Sequence, residues 1–126
     1  MKTLNNFING KSVPATSGKT LDLINPATGQ VFAKAPISSA TDVDSAMNAA
    51  AKAFEDFRDS TPSERQKALL KIADAIESRA DELVALESEN TGKPLAVTTS
   101  EEIPPMLDQI RFFAGAARNL EGRSAG

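Results

Sequence analysis

Between Pro36 and Ser39 the spacing of apolar side chains changes, and that change constrains the fold more than any other feature of the chain. Before it, short apolar runs are punctuated by turn residues. Leu4 to Ile8 reads as a strand, Asn9-Gly10 as a hairpin turn whose two residues both tolerate positive φ, and Lys11 to Val13 as the return strand. Thr20 to Ile24 alternates apolar and polar side chains, as a half-buried strand requires. Asn25-Pro26-Ala27-Thr28-Gly29 is the next turn, with Pro26 setting φ at its start and Gly29 free to take the left-handed conformation at its end. Val31 to Ala35 is the partner strand.

From Ser39 onward the apolar residues recur at steps of three and four. Ser39-Ala40-Thr41-Asp42 has capping-box spacing, and Val43, Met47, Ala50, Phe54 and Phe57 follow as one stripe. Thr61-Pro62-Ser63-Glu64 is a second box with Pro at the first helical position. Behind it come Leu69, Ile72, Ala73, Ile76, Leu83 and Leu86, with a break expected near Arg79 to Asp81. Thr91-Gly92-Lys93-Pro94 stops the helix, Gly serving the C-terminal cap and Pro blocking continuation. A last helix is expected to start near Ser100 to Pro104, because Pro104 and Pro105 would each cost ~3 kcal/mol in a helix interior and are tolerated in a first turn. Ile103, Met106, Leu107, Ile110, Phe113, Ala114 and Ala117 form its apolar face, and Gly122 to Gly126 are expected to fray. The fold class is therefore α+β: β-hairpins over 1–37, then three to four amphipathic helices over 38–126. Such a unit is expected to leave apolar faces exposed that belong against something else.

Composition narrows the chemistry. The chain of 126 residues contains neither Cys nor His. Disulfides, thiolate nucleophiles, thiolate metal sites, zinc chemistry and Ser-His-Asp catalysis are excluded, while Ser-Lys or carboxylate-pair chemistry stays open. The net charge of −3, with Lys and Arg scattered among acids, argues against nucleic acid and anionic membranes. No apolar run is long enough for a signal peptide or a membrane span, so a cytoplasmic protein is expected.

The candidate motifs are weak when taken alone. Ser17-Gly18-Lys19-Thr20 resembles the end of a phosphate-binding loop, but Val13 stands where that loop needs its first Gly and the segment leads into a strand, so a plain turn is the better reading. Thr91-Gly92-Lys93 lacks the upstream Gly as well. The acidic pairs Asp42/Asp44, Glu87/Glu89 and Glu101/Glu102 read as helix-start acids or solvated charges unless a cleft shifts one pKa.

Three segments carry a family resemblance. They are Phe7-Ile8-Asn9-Gly10-Lys11 with Leu23 to Gly29; Leu86-Glu87-Ser88-Glu89-Asn90-Thr91-Gly92-Lys93-Pro94; and Glu102-Ile103-Pro104 through Arg111-Phe112-Phe113-Ala114-Gly115-Ala116-Ala117-Arg118. In this order they resemble the start of an NAD(P)-dependent aldehyde dehydrogenase, and the third segment is similar to γ-aminobutyraldehyde and betaine-aldehyde dehydrogenases.

The resemblance implies that 1–126 is the N-terminal part of a cofactor-binding domain. The family's catalytic Cys, general-base Glu, oxyanion-hole Asn and cofactor Lys would lie downstream, so no catalytic or cofactor-binding residue is placed on this chain. It implies NAD or NADP and a small aldehyde substrate for the full enzyme, with neither expected for the chain alone, which is expected to be inactive. It further implies a possible Na⁺ or K⁺ site at positions matching Leu23, Ile24 and Asn90. Leu23 stands where relatives have Thr and Asn90 where they have Asp, so backbone carbonyls would have to serve. Finally, related aminoaldehyde enzymes place acids facing the substrate tunnel. The matching residue is Glu102, which suits an ammonium-tailed substrate, and the second such acid is replaced by Pro105. The expected partner is the remainder of a dehydrogenase subunit or a copy of the chain itself. The alternative expectation is a self-standing helical interaction or oligomerisation module.

Overall fold

The computed structural model describes residues 2–119 and 121–122. The expected fray over Gly122 to Gly126 falls, beyond Gly122, outside the described residues. The chain forms two compact units, one from residues up to Asp59 together with Glu89–Gly92, the other from Ser60–Ser88 together with the residues from Lys93 onward.

The first unit is built on two small sheets and a helix. Strands β2 (Asn6–Ile8) and β3 (Lys11–Val13) form an antiparallel hairpin in which Ile8 pairs with Lys11. The loop between them is Asn9 at φ 52° and Gly10 at φ 74°, the two positive values that such a tight turn needs. Strands β4 (Thr20–Ile24) and β5 (Val31–Pro36) are antiparallel, with Asp22 opposite Lys34 and an ion pair of 3.1 Å between them. Their turn closes on Asn25, whose carbonyl accepts from the Gly29 N–H at 2.8 Å and whose Oδ1 accepts from the Ala27 N–H at 2.9 Å. The expected strand Leu4 to Ile8 is shortened to Asn6–Ile8, and a strand that was not expected precedes it. Lys2–Thr3 is a separate strand, β1, lying parallel to β5, and the sheet order is β1-β5-β4. Two residues are too few to show any alternation, and their pairing lies some thirty positions away, so nothing local marks them.

Helix α1 (Ala40–Phe57) starts where the first capping box places it. Its anchor is Asp42, only 4% exposed. The carboxylate accepts from the Ser39 N–H at 2.7 Å, the Thr16 N–H at 3.0 Å, and the Ser39 and Thr16 hydroxyls at 2.9 and 3.0 Å. One side chain thus caps the helix and ties it to the loop after β3. The stripe of Val43, Met47, Ala50, Phe54 and Phe57 is helical as expected, but it faces solvent. Its four large side chains are between 55% and 65% exposed. Gly92 ends this unit's second segment at φ 76°, where a Cβ would lie 2.9 Å from Pro26 Cγ.

The second unit is helical. Helix α2 (Pro62–Glu77) begins at the Thr61/Glu64 box, with Glu64 accepting from the Thr61 N–H at 2.7 Å and Thr61 Oγ1 from the Glu64 N–H at 3.3 Å. The expected break falls at Ser78, and α3 (Ala80–Thr91) follows. The last helix starts at Ile103, within the expected Ser100 to Pro104, but other helical turns lead into it. A single turn, α4 (Leu95–Val97), runs into a π-helical turn (Thr98–Glu102) and then into α5 (Ile103–Ala116). Pro104 and Pro105 have no N–H to give the carbonyls four residues back, and the wider π turn occupies the place where those bonds would form.

Helix α2 packs on α5 through small residues: Ala73 and Ala114 are both wholly buried, with Leu107 beside them on α5. Arg111 of α5 reaches Glu77 at 2.5 Å and Asp74 at 3.1 Å on α2. No large side chain is fully buried among the described residues, and Phe113, on the apolar face of α5, stands 60% exposed. No helix among the described residues is long and apolar enough to cross a membrane.

Two expectations follow. Backbone and hydroxyl donors from Ser39 and Thr16 lower the Asp42 pKa from 3.8 to about 2. Its folded value lies below the unfolded one, so its stabilisation is complete above pH 3.8 and is lost as pH falls through about 2. Asp42→Ala should lower Tm by about 5 °C at neutral pH, and the difference from wild type should shrink on acid titration across that window. An unchanged Tm would show the cap to be dispensable. Gly92→Ala should cost more than Gly29→Ala in urea melts. Both force Ala to positive φ at about 1 kcal/mol, but only Gly92 has Pro26 where the Cβ must go.

Candidate functional site

The turn that ends α3 reverses the chain at Gly92 and sets Lys93 at the head of the following segment. The ammonium of Lys93 donates to both carboxylate oxygens of Glu102, at 2.7 and 2.9 Å, and to Glu87 Oε1 at 3.1 Å. Glu102 is the last residue of the π turn, and Glu87 lies on α3. All three side chains are half-buried. The Lys93 pKa is raised, first by the hydrogen bonds to Glu102 and then by those to Glu87. Glu102, the acid that the resemblance puts at the substrate end, is thus paired with a cation of the chain itself. Reading Lys93 only as part of a helix stop misses this. The pair is nine residues apart across a chain reversal, and no local pattern records it.

The proposed cation positions lie in the other unit. Leu23 and Ile24 are on β4, opposite Ala33 and Val31, with a bulge between them. Asn90 precedes the last residue of α3, and the close approach of Gly92 to Pro26 brings the two turns against each other. Leu23 and Ile24 have no side-chain oxygen, so these positions offer two carbonyls and the Asn90 amide oxygen. That falls short of the six or so oxygens a hard cation takes, and the rest must come from elsewhere. No cluster of three or more Asp or Glu residues that could hold a metal occurs among the described residues.

Every resolved shift holds a group more firmly in its charged form: Asp42, Glu64 and Glu77 are lowered, and Arg79, Lys93 and Arg111 are raised. The causes are hydrogen bonds and opposite charges, and among the described residues no shifted group is moved toward neutral pH, where a general acid or base works best. The segment Ser17 to Thr20 is a plain turn, with Ser17 Oγ donating to the Ile37 carbonyl at 2.6 Å and accepting from the Lys19 N–H at 3.1 Å.

Residues 13–126 match the family described as "Aldehyde dehydrogenase family". The 2-aminomuconic semialdehyde dehydrogenase of Danio rerio is 41% identical over 113 residues, which is 90% of this chain and 23% of that protein. The long-chain-aldehyde dehydrogenase of an Acinetobacter species is 40% identical over 117 residues, 93% of this chain and 23% of that protein. The NAD⁺ complex of an aldehyde dehydrogenase from Bacillus cereus superposes with a TM-score of 0.92 at 35% identity, covering 98% of this chain and 26% of that one. The chain thus spans about a quarter of the length of the relatives it matches. With the family matched over nearly its whole length, the chain belongs to the aldehyde dehydrogenase family.

Proposed function

We propose that the chain is the N-terminal part of the cofactor-binding domain of a cytoplasmic aldehyde dehydrogenase subunit. The whole subunit would oxidise an aldehyde with water and NAD⁺ (or NADP⁺) to the carboxylic acid and the reduced cofactor. The bound nicotinamide supplies the hydride acceptor. This chain supplies framework, and Glu102 lies at the substrate end, where an ammonium-tailed aldehyde such as γ-aminobutyraldehyde or betaine aldehyde would be recognised. A Na⁺ or K⁺ would sit against the Leu23 and Ile24 carbonyls and Asn90, completed by ligands from outside the chain.

The observation that carries the reading is the exposed stripe of α1. Val43, Met47, Phe54 and Phe57 form a continuous apolar face that a lone domain would bury. The remainder of the subunit is the natural cover. The same face would also serve a self-associating module, which is the second reading.

The two differ in outcome. The purified chain should form no NADH from propanal and NAD⁺, and turnover would overturn the assignment of the chemistry to other parts of the subunit. Met47→Gln should leave the Tm of the chain alone within about 2 °C, as an exposed substitution does. In a longer polypeptide carrying the dehydrogenase sequence that follows, the same change should cost about 1–3 kcal/mol, because it buries an amide in an apolar contact. Equal small effects in both would mean that the stripe stays uncovered. Sedimentation of the chain decides the second reading, and a clean monomer would sink it.

A further inference from the structure

Glu102 is not a bare carboxylate. Lys93 lies across both its oxygens, at 2.7 and 2.9 Å, and is held from a second side by Glu87 at 3.1 Å. We propose that Lys93 is a specificity-determining residue: by occupying Glu102 it blunts the enzyme's preference for ammonium-tailed aldehydes over uncharged ones. The inference rests on the reading of Glu102 as a substrate-end residue.

Lys93 and a cationic substrate compete for a single carboxylate. An incoming alkylammonium has two routes to Glu102. It can share the carboxylate with Lys93, placing two cations a few ångströms apart, or it can displace Lys93 and break the pair. Each route subtracts from the attraction that a bare Glu102 would offer. An uncharged tail meets neither cost. The pair is also well placed to persist. Glu102 ends the π turn and is followed directly by Ile103, Pro104 and Pro105, which start α5, so its backbone is fixed on one side by a helix and on the other by a hydrogen-bonded turn. Lys93 follows the Gly92 reversal and precedes Pro94, which begins α4. Yet the side chains remain 32% and 42% exposed, so the link is a partly screened one that a substrate can contest. The result is graded selectivity, set by Lys93, in place of a closed or an open site.

The test measures kcat/KM for 3-aminopropanal against propanal on the full-length subunit carrying this segment. Because the two substrates are compared on one preparation, the folded fraction cancels. Lys93→Met should raise the ratio about fivefold, the size expected for releasing one partly exposed charge pair. Lys93→Arg, which keeps the cation, should leave it near the wild-type value. Adding Glu102→Gln to Lys93→Met should abolish the gain. If Lys93→Met leaves the ratio unchanged while Glu102→Gln lowers it, Lys93 has no such role and Glu102 keeps its place at the substrate end. If neither substitution moves the ratio, Glu102 is remote from substrate, and both readings fall.

Discussion

The first unit depends on one carboxylate. Asp42 takes hydrogen bonds from two N–H groups and two hydroxyls, contributed by Ser39 next to it and Thr16 twenty-six residues away. A buried anion is costly unless its oxygens are satisfied, and here they are satisfied by donors that would otherwise go unpaired. The N–H of Ser39, the residue before the helix, needs an acceptor, and so does the Thr16 N–H in the loop after β3. A single side chain meets both needs, so the β-region and α1 are joined by polar geometry where apolar contact is sparse.

Apolar contact is sparse because the interior is made of small residues. Among the described residues the buried apolar ones are four alanines, one valine and one leucine. Alanine lets α2 and α5 approach closely and costs no side-chain entropy, but it removes little area from water. The larger residues are amphipathic stripes that end in solvent: Met47, Phe54 and Phe57 on α1, and Phe112 and Phe113 on α5, which meet edge to face with centroids 5.3 Å apart. A chain with this distribution has its secondary structure determined by caps and turns, while much of its apolar payload stays uncommitted. That is the physical signature of a piece of architecture that is finished by contact with something else.

The elements legible in the sequence are those with a local cause. Asn9-Gly10, the boxes at Ser39 and Thr61, the interruption at Ser78 and the stop at Gly92 each depend on residues within four positions of one another, and each stands where the pattern places it. The features that escape have distant causes. Strand β1 exists because β5 has an open edge, not because Lys2-Thr3 favours extension. The second half of the Asp42 site depends on Thr16, which has no helical signature. Periodicity identifies the stripe of α1 but is silent on whether it is covered, since period fixes which side chains share a face and not what that face meets.

Glu102 shows why a candidate site is harder to read than a fold. From the sequence it is an acid before a helix, and charge–dipole complementarity and substrate binding explain it equally well. Neither reading anticipates Lys93, whose position comes from three backbone features acting together. Gly92 takes a positive φ that other residues resist. Pro94 begins a new helical turn immediately after Lys93. The π turn then carries Glu102 one residue further around than an α-helix would. Change any one, and the ammonium and the carboxylate no longer share a face by necessity. The pairing of this acid is thus set by chain geometry several residues away from the acid itself. For that reason the environment of Glu102 cannot be read from the identity of residue 102 alone; it belongs to the pair.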